Sequence, residues 1–549
     1  MTSRTSVASA VSLLLGCGAA GVTHVALAAD AFLKPNTLVI SSSTYEKTGA
    51  VTTLNPLSGT VQLPNDAVPV SDDNYVTVWN NAGVDGNFGI TSPLILTDIE
   101  PHSGHVFGFL TVPTNQVVTS FSSKSELALH FSRDAHGGHL VFLGYAGSGV
   151  GALDVSNADA AAGQDPTNPV TAFFGDSYFF HRTIVALDDR NNFSYTPMEN
   201  YGGDNSRAAV LGSNGLYYTV GNSNSGVAGT FGASTCTSTA QTTSKLNCTK
   251  PDVTETTGLE VVNPINAATA SVDPAIPLVL SGDPTTAGSA EVNPLLQFGL
   301  NSGKNDKAGK DDNFRGLTEF NGALYFTKGS GSNGVQTVYT VTDGTQYPTG
   351  FVPVPNVGPA GGDVLPTVAN AGSSAIQILN GFPTDSSRAT GGNFAPFGLF
   401  FANENTLYVA DEGTDNTTDA QSNAGLEKWV LDSTTGSWSL AYTLQAGLIG
   451  QSYGPLPGRD GPWPVVTTIG LRNLAGRVNG DGTVTLWATT STNSTAGDTG
   501  SDPNLVVEIT DEIAATAPVA REMFTTVVGP TYGTVYRGVA FVTSPGNGN

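Results

Sequence analysis

Two stretches of the chain are near copies: "DNSRAAVLGSNGLYYTVGNSNSG" from Asp204 and "DNFRGLTEFNGALYFTKGSGSNG" from Asp312. Each runs Asp-Asn-x-Arg, an apolar segment, Asn-Gly, an aromatic-rich segment and a loop of Gly, Ser and Asn. Asn-Gly between two apolar runs is the strongest short-range signal for a tight β-hairpin, because both residues tolerate the positive φ that the turn needs. A hairpin this apolar cannot bury itself alone, so copies of it must pack on one another. Looser copies are "SELALHFSRDAHGGHLVFLGYAGSG" from Ser125, "NFAPFGLFFANENTLYVADEGTDN" from Asn393 and "GLRNLAGRVNGDGTVTLWATTSTNS" from Gly470.

Shorter strand-like segments follow these pairs, such as "GLEVVNP", "VQTVYTV", "GLEKWVL" and "NLVVEITD", and then a fourth, such as "WSLAYTL" or "MFTTVVG". Four antiparallel strands repeated around an axis make a β-propeller blade, whose first strand lines the central channel. Five blades are read from the hairpins and a sixth from "SPLILTDIEP" to "VVTSFSS". The terminal "VYRGVAFV" has the look of a first strand without a partner, and "TLVISSSTYE" near the start supplies one, which closes the ring and hides the exposed edges. The expectation is therefore an all-β, seven-bladed propeller of four-stranded blades spanning 29–549, behind a signal peptide at 1–28. Apolar residues alternate or run in short blocks, and nothing reads as a long helix. At the level of architecture the chain resembles exported β-propeller proteins whose repeats carry no WD or Kelch signature.

Charged residues make up only 12% of the chain, and Gly (66) and Pro (31) are abundant, which suits short strands and tight turns. Asp and Glu (46) outnumber Lys and Arg (22), for a net charge of -24 and no basic block to neutralise a phosphate backbone, so nucleic acid is excluded as a partner. The N-terminus reads as an export signal: Arg4, the apolar "VSLLLG" core and small residues up to Ala28. This places the protein outside the cytoplasm, secreted or periplasmic, as a monomer with no later membrane span. A lipobox ending in Cys17, with a lipid anchor, is the alternative. Export makes a disulfide the default for Cys236 and Cys248, and closing a loop of that size stabilises by roughly 3 kcal/mol.

Because the first two strands of a blade run antiparallel, the start of the first and the end of the second share one face. That face would gather Arg207, Arg315, Arg472 and Arg537 with Asp204, Asn205, Asp312, Asn313 and Asn473, and Lys328 from a second-strand end. His130, Glu126, Tyr201 and Tyr536 lie near it. Guanidinium groups suit bidentate contact with carboxylate, sulfate or phosphate, so an extracellular glycan or small acidic ligand is the expected partner. A competing reading ties each arginine to its own Asp or to a neighbouring blade's carbonyl, as glue between blades.

If the site is catalytic, arginines that neutralise a uronate carboxylate would ease abstraction of the adjacent proton. A polysaccharide lyase with His130, Tyr201 or Tyr536 as base is then favoured. A glycoside hydrolase would instead need paired carboxylates, with Glu126, Asp204, Asp312 and Glu412 as candidates. The alternative is a non-catalytic binding or scaffold protein. "ADEGTDN" offers Asp411, Glu412 and Asp415 as oxygen ligands for calcium, against a plain acidic turn. The pairs His102/His105 and His136/His139 read as solvated turn residues. Asn192, Asn247, Asn416 and Asn493 form N-x-S/T sequons, which matter only in a eukaryotic secretory host. There is no GxSxG elbow, HExxH or phosphate-binding glycine loop.

Overall fold

The computed structural model describes residues 31–45, 90–121, 127–134, 137–146, 182–198, 201, 205–222, 224–225, 258–264, 289–291, 310–311, 313–329, 335–342, 365–367, 375–384, 394–414, 421, 423–458, 461–495 and 500–544. The N-terminal segment read as an export signal, Glu126, His136, Asp204, Asp312, Asp415, Asn247, Asn416, Cys236 and Cys248 lie outside them. From Phe32 onward the chain is one compact unit. Every regular element among the described residues is a strand, and no helix there is long and apolar enough to cross a membrane.

The strands form six blades in a propeller-like ring. Blade one is Thr534–Phe541, Leu38–Thr44, Leu94–Ile99 and Val106–Thr111, in that order from the channel outward. Blade two is His130–Asp134, Gly137–Ala146, Arg182–Asp188 and Phe193–Met198, extended by Val117–Phe121 and Ile90–Ser92. Blade three is Ser206–Leu211, Tyr217–Gly221, Leu259–Val262 and Ser289–Glu291, and blade four is Phe314–Phe320, Ala323–Lys328, Thr337–Thr342 and Ala375–Ile378. Blade five is Pro396–Asn403, Thr406–Asp411, Gly425–Asp432 and Ser437–Leu444. Blade six is Val466–Val478, Thr483–Ser494, Val506–Glu512 and Thr525–Val528, with Ser452–Tyr453 beside its first strand. Each first strand packs against the first strands of the blades before and after it, and the cycle closes from blade six through blade one to blade two.

The ring has six blades where seven were expected. Terminal pairing occurs as read: Leu38 faces Phe541 and Thr44 faces Thr534. The other edge of Leu38–Thr44, however, pairs with Leu94–Ile99, in register Leu38 to Ile99. The stretch "SPLILTDIEP" is thus the third strand of the closing blade, while "VVTSF" joins blade two. What reads as two blades is one, because local alternation shows that a segment is a strand but not which strand it joins across a long connection.

The blades are held apart and together by apolar side chains on both faces of each sheet. One cluster runs through blades three, four and five, from Val210 and Tyr218 through Phe314, Phe326 and Tyr339 to Trp429 and Trp438. Phe382 stacks on Trp429 with ring centroids 4.0 Å apart. Burying one such side chain contributes about 1.5–3 kcal/mol, so the twofold apolar face of each hairpin supplies most of the cohesion. Between blades five and six a polar knot is buried: Lys428 Nζ lies 2.9 Å from Asp511 Oδ2 and donates to Tyr442 Oη at 2.9 Å, while Tyr408 and Tyr442 donate to the same carboxylate.

Candidate functional site: the arginine mouth

The arginines fall at a shared backbone irregularity. In blade three the pairing skips Arg207, and in blade one it skips Arg537. In blade four Arg315 and Gly316 oppose one residue, as do Arg472 and Asn473 in blade six. Each is a β-bulge, which inserts an extra residue, increases the local twist and re-aims its side chain. In blades four and six a threonine opposite the bulge takes a freed amide: Gly316 N donates to Thr327 Oγ1 at 2.9 Å, and Asn473 N to Thr489 Oγ1 at 3.2 Å.

The residue after the bulge position is where neighbouring blades touch. A methyl on Gly316 would lie 1.9 Å from the carbonyl oxygen of Phe397, and one on Gly398 would lie 2.6 Å from that of Arg472. Asn473 Nδ2 donates to the carbonyl of Arg537, and a methyl on Gly538 would lie 2.2 Å from that of Leu127. This chain of contacts identifies equivalent positions in five blades, Arg315, Phe397, Arg472, Arg537 and Leu127, and the bulge of blade three adds Arg207. Blade five has the same bulge, with Phe397 and Gly398 opposing one residue. Its Phe-Gly matches the Arg-Gly of blades one and four in sequence, a signal that a search for arginines alone passes over. In blade two the position is Leu127, three residues before His130.

All four arginines are buried, at 7% exposure or less. Arg537 Nε donates to Ser43 Oγ at 3.2 Å and Nη2 to the Gly500 carbonyl of blade six at 3.0 Å. Arg207 Nη2 donates to Asn222 Oδ1 of its own blade at 3.5 Å and to Asn313 Oδ1 beside blade four at 3.3 Å. Ser43 and Asn222 each directly follow the second-strand residue that pairs with the one before the arginine, Ser42 with Tyr536 and Gly221 with Ser206, as Glu412 follows Asp411, the partner of Pro396. In blade five, where the arginine is replaced by Phe397, that place is held by Glu412. Its carboxylate pairs with Arg315 of blade four through Oε1, and Oε2 lies 3.4 Å from Arg472 Nε of blade six. The Arg315 guanidinium also lies over the Phe397 ring, 5.2 Å from its centroid. Blade five, where Phe397 replaces the arginine, thus supplies the acid that takes those of both its neighbours.

A second carboxyl group stands near Arg472. Asp502, in the loop between the second and third strands of blade six, is 1% exposed. Its Oδ1 accepts from Trp463 Nε1 at 3.1 Å and from Ser494 Oγ. Among the described residues its Oδ2 has no hydrogen-bond partner. Burial pushes its pKa up to about 6, against the opposing pull of Ser494, Trp463 and Arg472. Neither Asp502 nor Trp463 carries a sequence signal, since each acts through a neighbour brought in by the fold.

The remaining candidates are distributed around the ring. His130 begins the first strand of blade two; its Nδ1 is buried without a hydrogen-bond partner among the described residues, and burial holds its pKa down at about 4, so the imidazole is neutral. Tyr201 is fully buried, with its hydroxyl 2.8 Å from Thr219 Oγ1 and donating to the Gly258 carbonyl at 3.2 Å. Tyr536 Oη donates to the Gly529 carbonyl at 3.1 Å, and burial raises its pKa. Asn205 accepts from Tyr145 Oη at 3.4 Å, and Lys328 is fully buried. Asp411 accepts the Ala395 and Gly413 amides at 2.7 and 2.8 Å, closing the blade-five loop. Among the described residues no group of three or more His, Cys, Asp and Glu side chains is placed to hold a metal ion. His102 is exposed in a turn, as read, and its Nδ1 lies 2.9 Å from Glu508 Oε2.

No protein-family model matches the sequence, and no curated protein matches it. Two solved structures superpose loosely. One is an S. cerevisiae dbp5 variant bound to nup159, a gle1 variant, IP6 and ADP: 8% identity, 93% of this chain and 90% of that chain covered, TM-score 0.28. The other is a B. subtilis levansucrase mutant: 10% identity, 77% and 94% covered, TM-score 0.28. The fold assignment stands on the strand pairing described above.

Proposed function

We propose that this chain is an exported binding propeller that takes an acidic ligand, of the class of uronate-bearing polysaccharides, at its arginine mouth, without covalent chemistry. The observation that carries this reading is the Glu412 carboxylate held between Arg315 and Arg472 from two different blades. It supports a mouth whose donors are spaced for carboxylate, in a molecule otherwise strongly acidic. The export part rests on the N-terminal pattern from Arg4 to Ala28. Binding is favoured over lyase chemistry by the setting of the three candidate bases. Tyr201 spends its proton on a backbone carbonyl, Tyr536 is harder to ionise than a free phenol, and His130 is a weakened base.

A second reading, in which the arginines only fasten blades, is favoured by the Arg537 bond to the Gly500 carbonyl and the Arg207 bond to Asn313. One experiment separates them. Purified protein is titrated with polygalacturonate and with neutral dextran, followed by calorimetry and by the ultraviolet absorbance of unsaturated products. Salt-sensitive binding of polygalacturonate alone, with no new absorbance, is the expected result. Binding of neither polymer overturns the proposal in favour of fastening, and growing absorbance overturns it in favour of a lyase.

A further inference from the structure

Four second-strand positions equivalent to Glu412 carry small or neutral residues: Ser43, Asn222, Gly329 and Ser491. Among these five blades a carboxylate occurs there only in blade five, the blade whose bulge holds Phe397, and both its oxygens face guanidinium groups of the flanking blades. The Glu412 side chain keeps 13% of its surface exposed, against 8% for each arginine, so this junction meets solvent on the glutamate side. Backbone placement is independent of the carboxylate: the Glu412 amide donates to the Ala395 carbonyl at 3.0 Å. The two arginines are set by their bulges and by the close approach of Gly316 to Phe397 and of Gly398 to Arg472.

We infer that the junction of blades four, five and six is a carboxylate-binding subsite built by Arg315, Arg472 and Phe397, and that Glu412 is its resident occupant, which an incoming uronate must displace. The inference rests on the acidic-ligand reading of the mouth and adds where one carboxylate of that ligand goes and what it competes with. Two guanidiniums held by backbone geometry give charge-assisted contacts to a planar anion, and the Phe397 ring beneath Arg315 gives the site a floor that water does not solvate. Shortening Glu412 to the residue of blades one and six leaves a space of carboxylate size facing two positive charges. An external carboxylate should fill it.

The test uses the mature protein and two variants, Glu412→Ser and Glu412→Gln. Melting temperatures are measured in increasing sodium acetate and sodium galacturonate, with sodium chloride at equal ionic strength as the reference. Glu412→Ser is expected to melt several degrees below the parent and to recover most of that loss, saturably, with either carboxylate, while the parent responds to neither beyond chloride. If Glu412→Ser does not fold, Glu412→Gln keeps the volume without the charge and should bind galacturonate about tenfold more tightly than the parent, whose carboxylate must first leave both guanidiniums. A folded Glu412→Ser that acetate and chloride affect alike overturns the subsite, as does a Glu412→Gln with unchanged affinity. Acetate rescue in a protein that ignores polygalacturonate leaves the subsite standing and removes the polysaccharide reading instead.

Discussion

Replacing Asp502 with asparagine should make the protein more stable at neutral pH and leave it unchanged in acid. The side chain is buried, and Oδ1 takes the Trp463 and Ser494 donors, a role that an amide oxygen reproduces. Burial raises its pKa from 3.8 to about 6, so desolvation outweighs the attraction of Arg472. A group whose pKa is higher folded than unfolded stabilises the fold below its unfolded value and loses that contribution as pH rises through the folded one. From 3.8 to about 6, at 1.36 kcal/mol per unit, ionised Asp502 weakens the fold by up to ~3 kcal/mol above that pH. Asp98, also raised to about 6 by burial, and Glu427, raised by burial and by Asp411, act in the same direction, so the parent's own profile is not diagnostic. The difference is. Denaturation midpoints of parent and Asp502→Asn, taken in steps from about pH 4 to pH 8, should coincide at the acid end and separate by ~3 kcal/mol at the other. A constant gap, or a variant weaker than the parent at neutral pH, would refute the claim that burial and not Arg472 governs this carboxyl group.

Other perturbations test the ring. Gly316→Ala places a methyl 1.9 Å from the Phe397 carbonyl oxygen and should force blades four and five apart, at a cost above ~3 kcal/mol; Gly108→Ala, with open space around it, should be silent in the same melting assay. Lys428→Met strands the Asp511 carboxylate beside two tyrosines and should cost about 3–5 kcal/mol by chemical denaturation. His130→Leu should flatten the acid limb of the stability profile: its pKa falls from 6.5 to about 4, so the parent loses up to ~3 kcal/mol as pH drops through that interval. A profile unchanged by the substitution would place the imidazole in water. Removing Thr534–Phe541 takes the innermost strand from blade one and should give an aggregating product by light scattering, since an open ring presents two sheet edges.

Much of this architecture is legible along the chain, and the reason is that hairpins are local. Asn321-Gly322 sits at the turn between Phe320 and Ala323 with both φ angles positive, while in the other copied stretch only Gly215 has a positive φ. The pairing of "VYRGVAFV" with "TLVISSSTYE" is legible too, because an apolar strand without a neighbour must find one. The four arginines of the first strands could be named from spacing alone. The blade count could not, because the partner of Leu94–Ile99 lies across a long connection and nothing local distinguishes one apolar edge from another. Nor could the bulges, which turn Arg207, Arg315, Arg472 and Arg537 toward neighbouring blades, since a one-residue offset appears only when two strands are laid side by side. Glu412 is the clearest case. In sequence it belongs to an acidic turn, and only the packing of blades four and six against blade five brings Arg315 and Arg472 to answer its charge. Sequence by itself determined the strands and the turns and singled out four arginines in the blades; tertiary structure decided which charges meet, because that depends on packing between blades and Coulomb attraction between them acts at a few ångströms whatever their separation along the chain.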